Sequence, residues 1–167
     1  MPEPEQGCWH LAIDGSAVPN PGRMGIGVLL RCPEGQLRGS WGREVGHGCN
    51  NEAELRALTF GLRLAGDFGA QALQVQTDST VLLELLAPTS GRAPKQIARL
   101  QALVTEAREA LGRLATVQWQ WVPRHRNREA DALARAALGM PARDEASLAK
   151  VKGRVKSRGK ASLRKTR

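Results

Sequence analysis

The chain predicts an α/β fold: a mixed five-stranded sheet, three antiparallel strands followed by two parallel ones, flanked by helices. Three observations predict it. Residues 9–45 contain three apolar runs separated by turn formers. From residue 51 the apolar period becomes helical. Two later alternating runs, 72–77 and 117–122, are each reached through helical stretches, as parallel strands require.

Taken in order, Trp9 to Asp14 reads as a strand ending in a turn, because Gly15-Ser16 and Asn20-Pro21-Gly22 are turn formers. Gly25 to Arg31 is a second strand, broken by Pro33-Glu34-Gly35, and Gln36 to Val45 is a third, weaker one around Trp41. After the turn cluster Gly46 to Asn51, residues 51–66 place Leu55, Leu58, Leu62 and Ala65 on one helix face, with Asn50 or Asn51 as the cap. Ala72 to Thr77 alternates as a strand and ends at Asp78. A short helix, Thr80 to Leu86, stops before Pro88. A longer helix is expected over 95–114, with Ile97, Leu100, Leu103 or Val104, Ala107 and Leu111 as its apolar stripe. Val117 to Val122 is the last strand. Asn127 caps a final helix, Arg128 to Leu138, ended by Gly139 and Pro141.

The 167 residues are 41% hydrophobic, enough for one domain with a core. The expected organisation is an N-terminal extension over 1–8, a folded domain over 9–140, and a linker with a basic, disordered tail over 141–167. No apolar stretch is long enough for a membrane helix. The N-terminus lacks the features of a signal peptide, so a cytoplasmic protein is expected. Cys8, Cys32 and Cys49 have no C-x-x-C spacing and read as free thiols. Net charge is +9, from 25 basic and 16 acidic residues. Nine of the basic residues lie in 150–167, which holds no acid, so residues 1–149 are formally neutral. Lys152, Arg154, Lys156 and Arg158 belong to this block, whose charge suits a phosphate backbone or, more simply, solvation.

Four carboxylates stand out: Asp14 in Ile-Asp-Gly-Ser, Glu54 after the Asn50-Asn51 pair, Asp78 in Thr-Asp-Ser, and Asp131 early in the final helix. Each alone has a plain structural explanation: an Asx turn, a surface helix charge, a helix cap and a first-turn acid. Together, in this order of elements, they can meet at one rim of the sheet. Converging carboxylates need a cation between them. An oxygen-only set suits Mg²⁺ or Mn²⁺ and phosphodiester chemistry.

These motifs, with Asn20-Pro21-Gly22, Gly25-Ile26-Gly27, Trp121-Val122-Pro123-Arg124 and Asn127-x-x-Ala130-Asp131-x-Leu133-Ala134, resemble a type 1 ribonuclease H over roughly residues 9–138. The resemblance implies the ribonuclease H-like fold. It implies cleavage of the RNA strand of an RNA–DNA hybrid with two Mg²⁺ or Mn²⁺ ions, leaving 5′-phosphate and 3′-hydroxyl ends. Asp14, Glu54, Asp78 and Asp131 take the places of the metal-binding catalytic acids. Asn20, Asn50 and Asn51 fall at nucleic-acid contact positions; Ser16, Ser79 and Thr80 are weaker candidates. A monomer is expected.

The chain departs from many bacterial members in two ways. Their catalytic loop His has only His125 as a counterpart, six residues before Asp131, and the short loop is similar to the archaeal-like branch. His125 is a candidate for proton transfer or product release, and Arg124 for phosphate contact. That branch leaves double-stranded RNA open as a second substrate. No basic handle with Trp is inserted over 88–114. The C-terminal tail is therefore the expected grip on the hybrid. Trp119 and Trp121 share one strand face, where packing under the final helix is expected over base stacking. Other readings are a non-catalytic nucleic-acid-binding module of the same fold, a DNA-directed nuclease or strand-transfer enzyme, and a domain parted from a reverse transcriptase.

Overall fold

The computed structural model describes residues 7–87 and 98–143. The strands are β1 (Trp9–Val18), β2 (Gly22–Arg31), β3 (Leu37–Gly48), β4 (Ala72–Thr77) and β5 (Thr116–Trp121). The helices are α1 (Asn50–Asp67), α2 (Thr80–Leu86), α3 (Gln101–Leu111) and α4 (Arg128–Ala137). They form one sheet in the order β3-β2-β1-β4-β5. β1–β2 and β2–β3 are antiparallel, and β1–β4 and β4–β5 are parallel. This is the fold class the sequence predicts.

The two faces of the sheet are covered differently. Leu11 and Ile13 of β1, Ile26, Val28 and Leu30 of β2, and Leu73 and Val75 of β4 point to one face. There they meet Leu55, Leu58 and Leu62 of α1 and Val104 and Ala107 of α3, all buried in one core. On the other face α4 lies on β1, β2 and β3. Its backbone comes so close that a Cβ on Gly25 or Gly27 would overlap the carbonyl oxygens of Ala134 or Ala130. The Gly-Ile-Gly sequence of β2 is therefore the landing pad of α4: glycine toward α4, isoleucine toward α1.

Several local expectations are corrected. β1 does not end at Asp14 but continues through Gly15-Ser16 to Val18, paired with β2 as far as Val18↔Arg23. β2 starts three residues early, and β3 runs on to Gly48. Long antiparallel pairing carries the backbone through residues that locally favour turns. The cap position of α1 is Cys49, with no side-chain cap bond. Asn50 instead accepts a hydrogen bond from Ala17 N on Oδ1 (2.8 Å), and its own N–H donates to Asn20 Oδ1 (3.1 Å). The single helix expected over 95–114 is a 3₁₀ turn, Ala98–Leu100, leading into the shorter α3. Leu100, Val104 and Ala107 of the expected stripe are buried; Ile97 lies outside the described residues. Asn127 sits at the start of α4, after a 3₁₀ turn over Arg124–Arg126, but makes no cap bond.

The Trp pair is not under α4. Trp119 packs against the α1-side core, while Trp121 is 51% exposed at the edge of the sheet. Cys8, Cys32 and Cys49 are free. Among the described residues, no helix is long and apolar enough to cross a membrane. The basic tail, with Lys152, Arg154, Lys156 and Arg158, lies outside the described residues, as does the N-terminal extension up to Gln6.

Candidate active site

Strand register brings the first two acids together. β1 and β4 pair in parallel from Trp9↔Leu73 to Ala12↔Gln76, and the pairing stops there. Asp14 and Asp78 each lie two residues beyond the last pair, level with one another. β4 ends because Asp78 leaves the sheet: Ser79 N donates to Thr77 Oγ1 (3.1 Å), and the Ser79 hydroxyl caps α2 by accepting from Leu82 N (3.1 Å). Trp121 Nε1 donates to the Asp78 carbonyl (3.3 Å), tying the end of β5 to the same corner.

Glu54 arrives from the helix side. A Cβ on Gly15 would overlap the Ala53 and Glu54 backbone, so only glycine lets the first turn of α1 reach β1 this closely. Glu52 belongs elsewhere, with its carboxylate 3.5 Å from Arg99 Nε. Carboxylate oxygens of Asp14, Glu54 and Asp78 all come within 4.8 Å of one another.

Electrostatics mark the cluster as short of positive charge. Burial, then the charges of Asp78, Asp131 and Glu54, push the pKa of Asp14 up to about 8; the Gly15 N–H hydrogen bond opposes this. Burial also raises Glu54 to about 7, with a further push from Asp78 and partial relief from the Ser79 hydroxyl and Arg124. Clustered oxygens that resist ionisation fit a hard divalent cation, and the donor set contains no sulfur or imidazole.

Asp131 is close enough to act on Asp14 but stands outside the group of three. It rides on α4, 5% exposed, and accepts a hydrogen bond from Arg143 Nε on Oδ1 (2.9 Å). Arg124 Nε lies 3.6 Å from Asp78 Oδ2. A cavity of about 290 Å³ opens between these parts, lined among others by Asp14, Glu54, Ser16, Asn50, Arg124 and Arg143.

The other sequence candidates divide by exposure. Ser16 is half-buried in β1 on the cavity wall, and Asn50 and Asn20 are exposed beside it. Asn51 is half-buried in the first turn of α1. Ser79 is buried, with its hydroxyl turned inward to Leu82 N and Glu54; Thr80 is exposed on α2. Arg124 and His125 are exposed on the turn before α4. Sequence reasoning missed three supports. Arg143 was passed over as linker. Gly15 was read as a turn former. Asn127, taken for a cap, donates from Nδ2 to the Ile13 carbonyl (2.8 Å), pinning the start of α4 to β1 beside Asp14. Only the last carried a signal, the Asn four residues before Asp131.

Strand order, helix placement and the acidic rim together define a protein of the ribonuclease H-like fold. A family model described as reverse transcriptase-like matches residues 12–137, and the chain belongs to that family. Similar proteins and solved structures include ribonucleases H. The chain is 33% identical over 129 residues to ribonuclease HI of Halobacterium salinarum, covering 77% of this chain and 63% of that protein. It is similar to the crystal structure of that organism's ribonuclease H1, with 32% identity, 80% of this chain and 98% of that one covered, and a TM-score of 0.73. The N-terminal ribonuclease H domain of a Mycobacterium tuberculosis protein aligns at 31% identity over 77% of this chain and 97% of that one, with a TM-score of 0.71. The full-length mycobacterial bifunctional protein is matched over only 37% of its length. The same fold occurs in LC11 ribonuclease H1 in complex with an RNA/DNA hybrid, at 24% identity, over 77% of this chain and 95% of that one, with a TM-score of 0.68.

Proposed function

We propose that this chain is a metal-dependent endoribonuclease that hydrolyses the RNA strand of RNA–DNA hybrids, leaving 5′-phosphate and 3′-hydroxyl ends. The observation that carries this reading is the meeting of Asp14, Glu54 and Asp78 within 4.8 Å, two of them held well above ordinary carboxylate pKa values. Similarity to ribonuclease HI of Halobacterium salinarum supports the reaction class, and a ribonuclease H1 of the same fold has been solved with an RNA/DNA hybrid.

In this reading Asp14, Glu54 and Asp78, joined by Asp131, hold two Mg²⁺ or Mn²⁺ ions. Bound there, the ions would lower the pKa of the attacking water and stabilise charge on the leaving 3′ oxygen. The protein side is preorganisation. Asp14 is fixed by β1, Asp78 by the α2 cap and Trp121, and Glu54 by the approach at Gly15. Arg124 stands at the rim as a phosphate contact, with His125 beside it for proton transfer or product release. Ser16 and Asn50 line the cavity, Asn20 is hydrogen-bonded to Asn50, and Asn51 follows Asn50 in α1; on this side RNA 2′-hydroxyls would be read. The basic tail adds a sequence-independent grip on the duplex.

The test is cleavage of an end-labelled hybrid with Mg²⁺ and then Mn²⁺, by the unmodified protein and by Asp14→Asn. RNA-strand cutting that disappears in the variant supports the reading. Hybrid binding without cutting under either ion would replace it with a binding module.

A further inference from the structure

Arg143 makes a shorter ion pair at the rim than Arg124 does, and the chain around it is built to deliver it. α4 ends at Ala137, and Gly139 takes a left-handed conformation (φ 71°) that turns the chain back. Met140 N then donates to the Arg135 carbonyl (2.9 Å), and Arg135 Nε donates to the Pro141 carbonyl (2.8 Å). Arg135 is itself only 9% exposed, so its guanidinium serves as a fixed clamp on this return segment. The return places the Arg143 side chain, 43% exposed, with Nε 2.9 Å from Oδ1 of Asp131, whose side chain is 7% exposed. Arg143 also lines the cavity shared with Asp14 and Glu54. It is a second cation at a rim where Arg124 faces Asp78 at the longer distance of 3.6 Å.

Resting on the cation site proposed above, we propose that Arg143 is a positioning residue. Its guanidinium holds Asp131 apart from the three-carboxylate cluster, and a divalent cation recruits Asp131 only by displacing it. The arrangement has a physical logic. Asp131 sits in a half-dry corner beside Asp14, and an unpaired charge there would add to the repulsion in the cluster. A guanidinium satisfies it with a directional hydrogen bond and remains exposed enough to leave. The protein therefore carries a counter-charge for its fourth acid. That counter-charge weakens divalent binding and makes it depend on the clamp at Arg135 and Pro141.

The test measures Mn²⁺ affinity by titration calorimetry on the full chain, for the unmodified protein, Arg143→Ala and Arg143→Lys, and again in an Asp131→Asn background. Arg143→Ala should bind Mn²⁺ about three- to tenfold more tightly, the scale of a partly screened ion pair. Arg143→Lys should fall between, because an ammonium keeps the charge but not the planar fork. With Asp131→Asn most of the difference should vanish. Unchanged or weaker affinity in Arg143→Ala overturns the proposal. So does an equal gain in both backgrounds, which would reduce Arg143 to a general charge effect. Absence of Mn²⁺ binding in every variant would overturn the cation site as well, whereas binding that ignores Arg143 overturns only this inference. Thermal melts of each variant check that folding is kept.

Discussion

The two faces of the sheet hold their helices by opposite means. On the α1 face, large aliphatic side chains such as Leu11, Ile13, Ile26, Leu58 and Leu62 fill the space between layers. On the α4 face, glycines at 25 and 27 let helix backbone rest on strand backbone. The first arrangement is an apolar core that tolerates small adjustments. The second has no side chain to give way. Three of the four acids, Asp14, Glu54 and Asp78, are set by β1, α1 and the end of β4, whereas Asp131 depends on how α4 seats on its glycine pad. The difference teaches that the fourth acid is placed by a different kind of contact from the other three.

The largest expected effect tests the three-acid side. Asp14→Asn or Asp78→Asn should lower hybrid cleavage at least ~100-fold, the scale of losing a preorganised charge at a reacting centre. Asp14→Asn should at the same time raise the melting temperature of metal-free protein, because it removes a carboxyl whose ionisation is opposed by burial and by Asp78, Asp131 and Glu54. A variant that is both inactive and less stable would mean that the cluster is an ordinary structural network.

Next in size are paired core and pad substitutions. Leu58→Ala, at a fully buried position, should cost about 2–5 kcal/mol in denaturant unfolding. Its cleavage under folding conditions should change little. Gly27→Ala pushes a methyl into the Ala130 carbonyl and should cost about 1–3 kcal/mol. It should also reduce cleavage out of proportion to that loss, since α4 carries Asp131. Equal activity losses in the two variants would break the contrast between the faces.

Smaller, but diagnostic, is the response to pH. Asp14 titrates near 8 in the folded state against an ordinary 3.8, and Glu54 near 7 against 4.5. Between those limits the folded protein binds more protons than the unfolded chain, so these two groups lower stability as pH rises. Metal-free protein should therefore lose melting temperature from about pH 5 towards 8, and saturating Mg²⁺ or Mn²⁺ should remove most of the slope. A melting temperature that rises over this range with metal absent would mean that burial does not hold these two carboxyls protonated. Smallest at saturation is the tail. Deleting residues 147–167 should weaken hybrid binding and flatten its dependence on salt, with little change in turnover once substrate saturates. Identical affinities at low and high salt would remove the tail from the interface.

Most of the architecture was legible in the residues. Alternation marked β4 and β5, and helical period gave the buried stripe of α1 through Leu55, Leu58, Leu62 and Ala65. The order of elements let the acids meet at one rim of the sheet, and the parallel pairing of β1 with β4 brings Asp14 and Asp78 level there. Failures cluster where long-range pairing overrides local preference. Gly15-Ser16 reads as a turn, yet its neighbours on β2 keep it in β1. Asn50 and Asn127 read as caps, yet both bond to β1, a partner distant in sequence.

By itself, then, the sequence determined the order of strands and helices and which four acids stand out in its motifs. Periodicity and residue chemistry are local, and spacing along the chain records them. Only the tertiary structure decided that three of those acids bring oxygens within 4.8 Å of one another while the fourth stands beside them, paired with Arg143. It also assigned Gly15, Gly25 and Gly27 to close helix–strand approaches. The physical reason is that distances between charges, and the room a missing Cβ leaves, are set by how layers pack. Packing joins residues that the chain keeps dozens of positions apart.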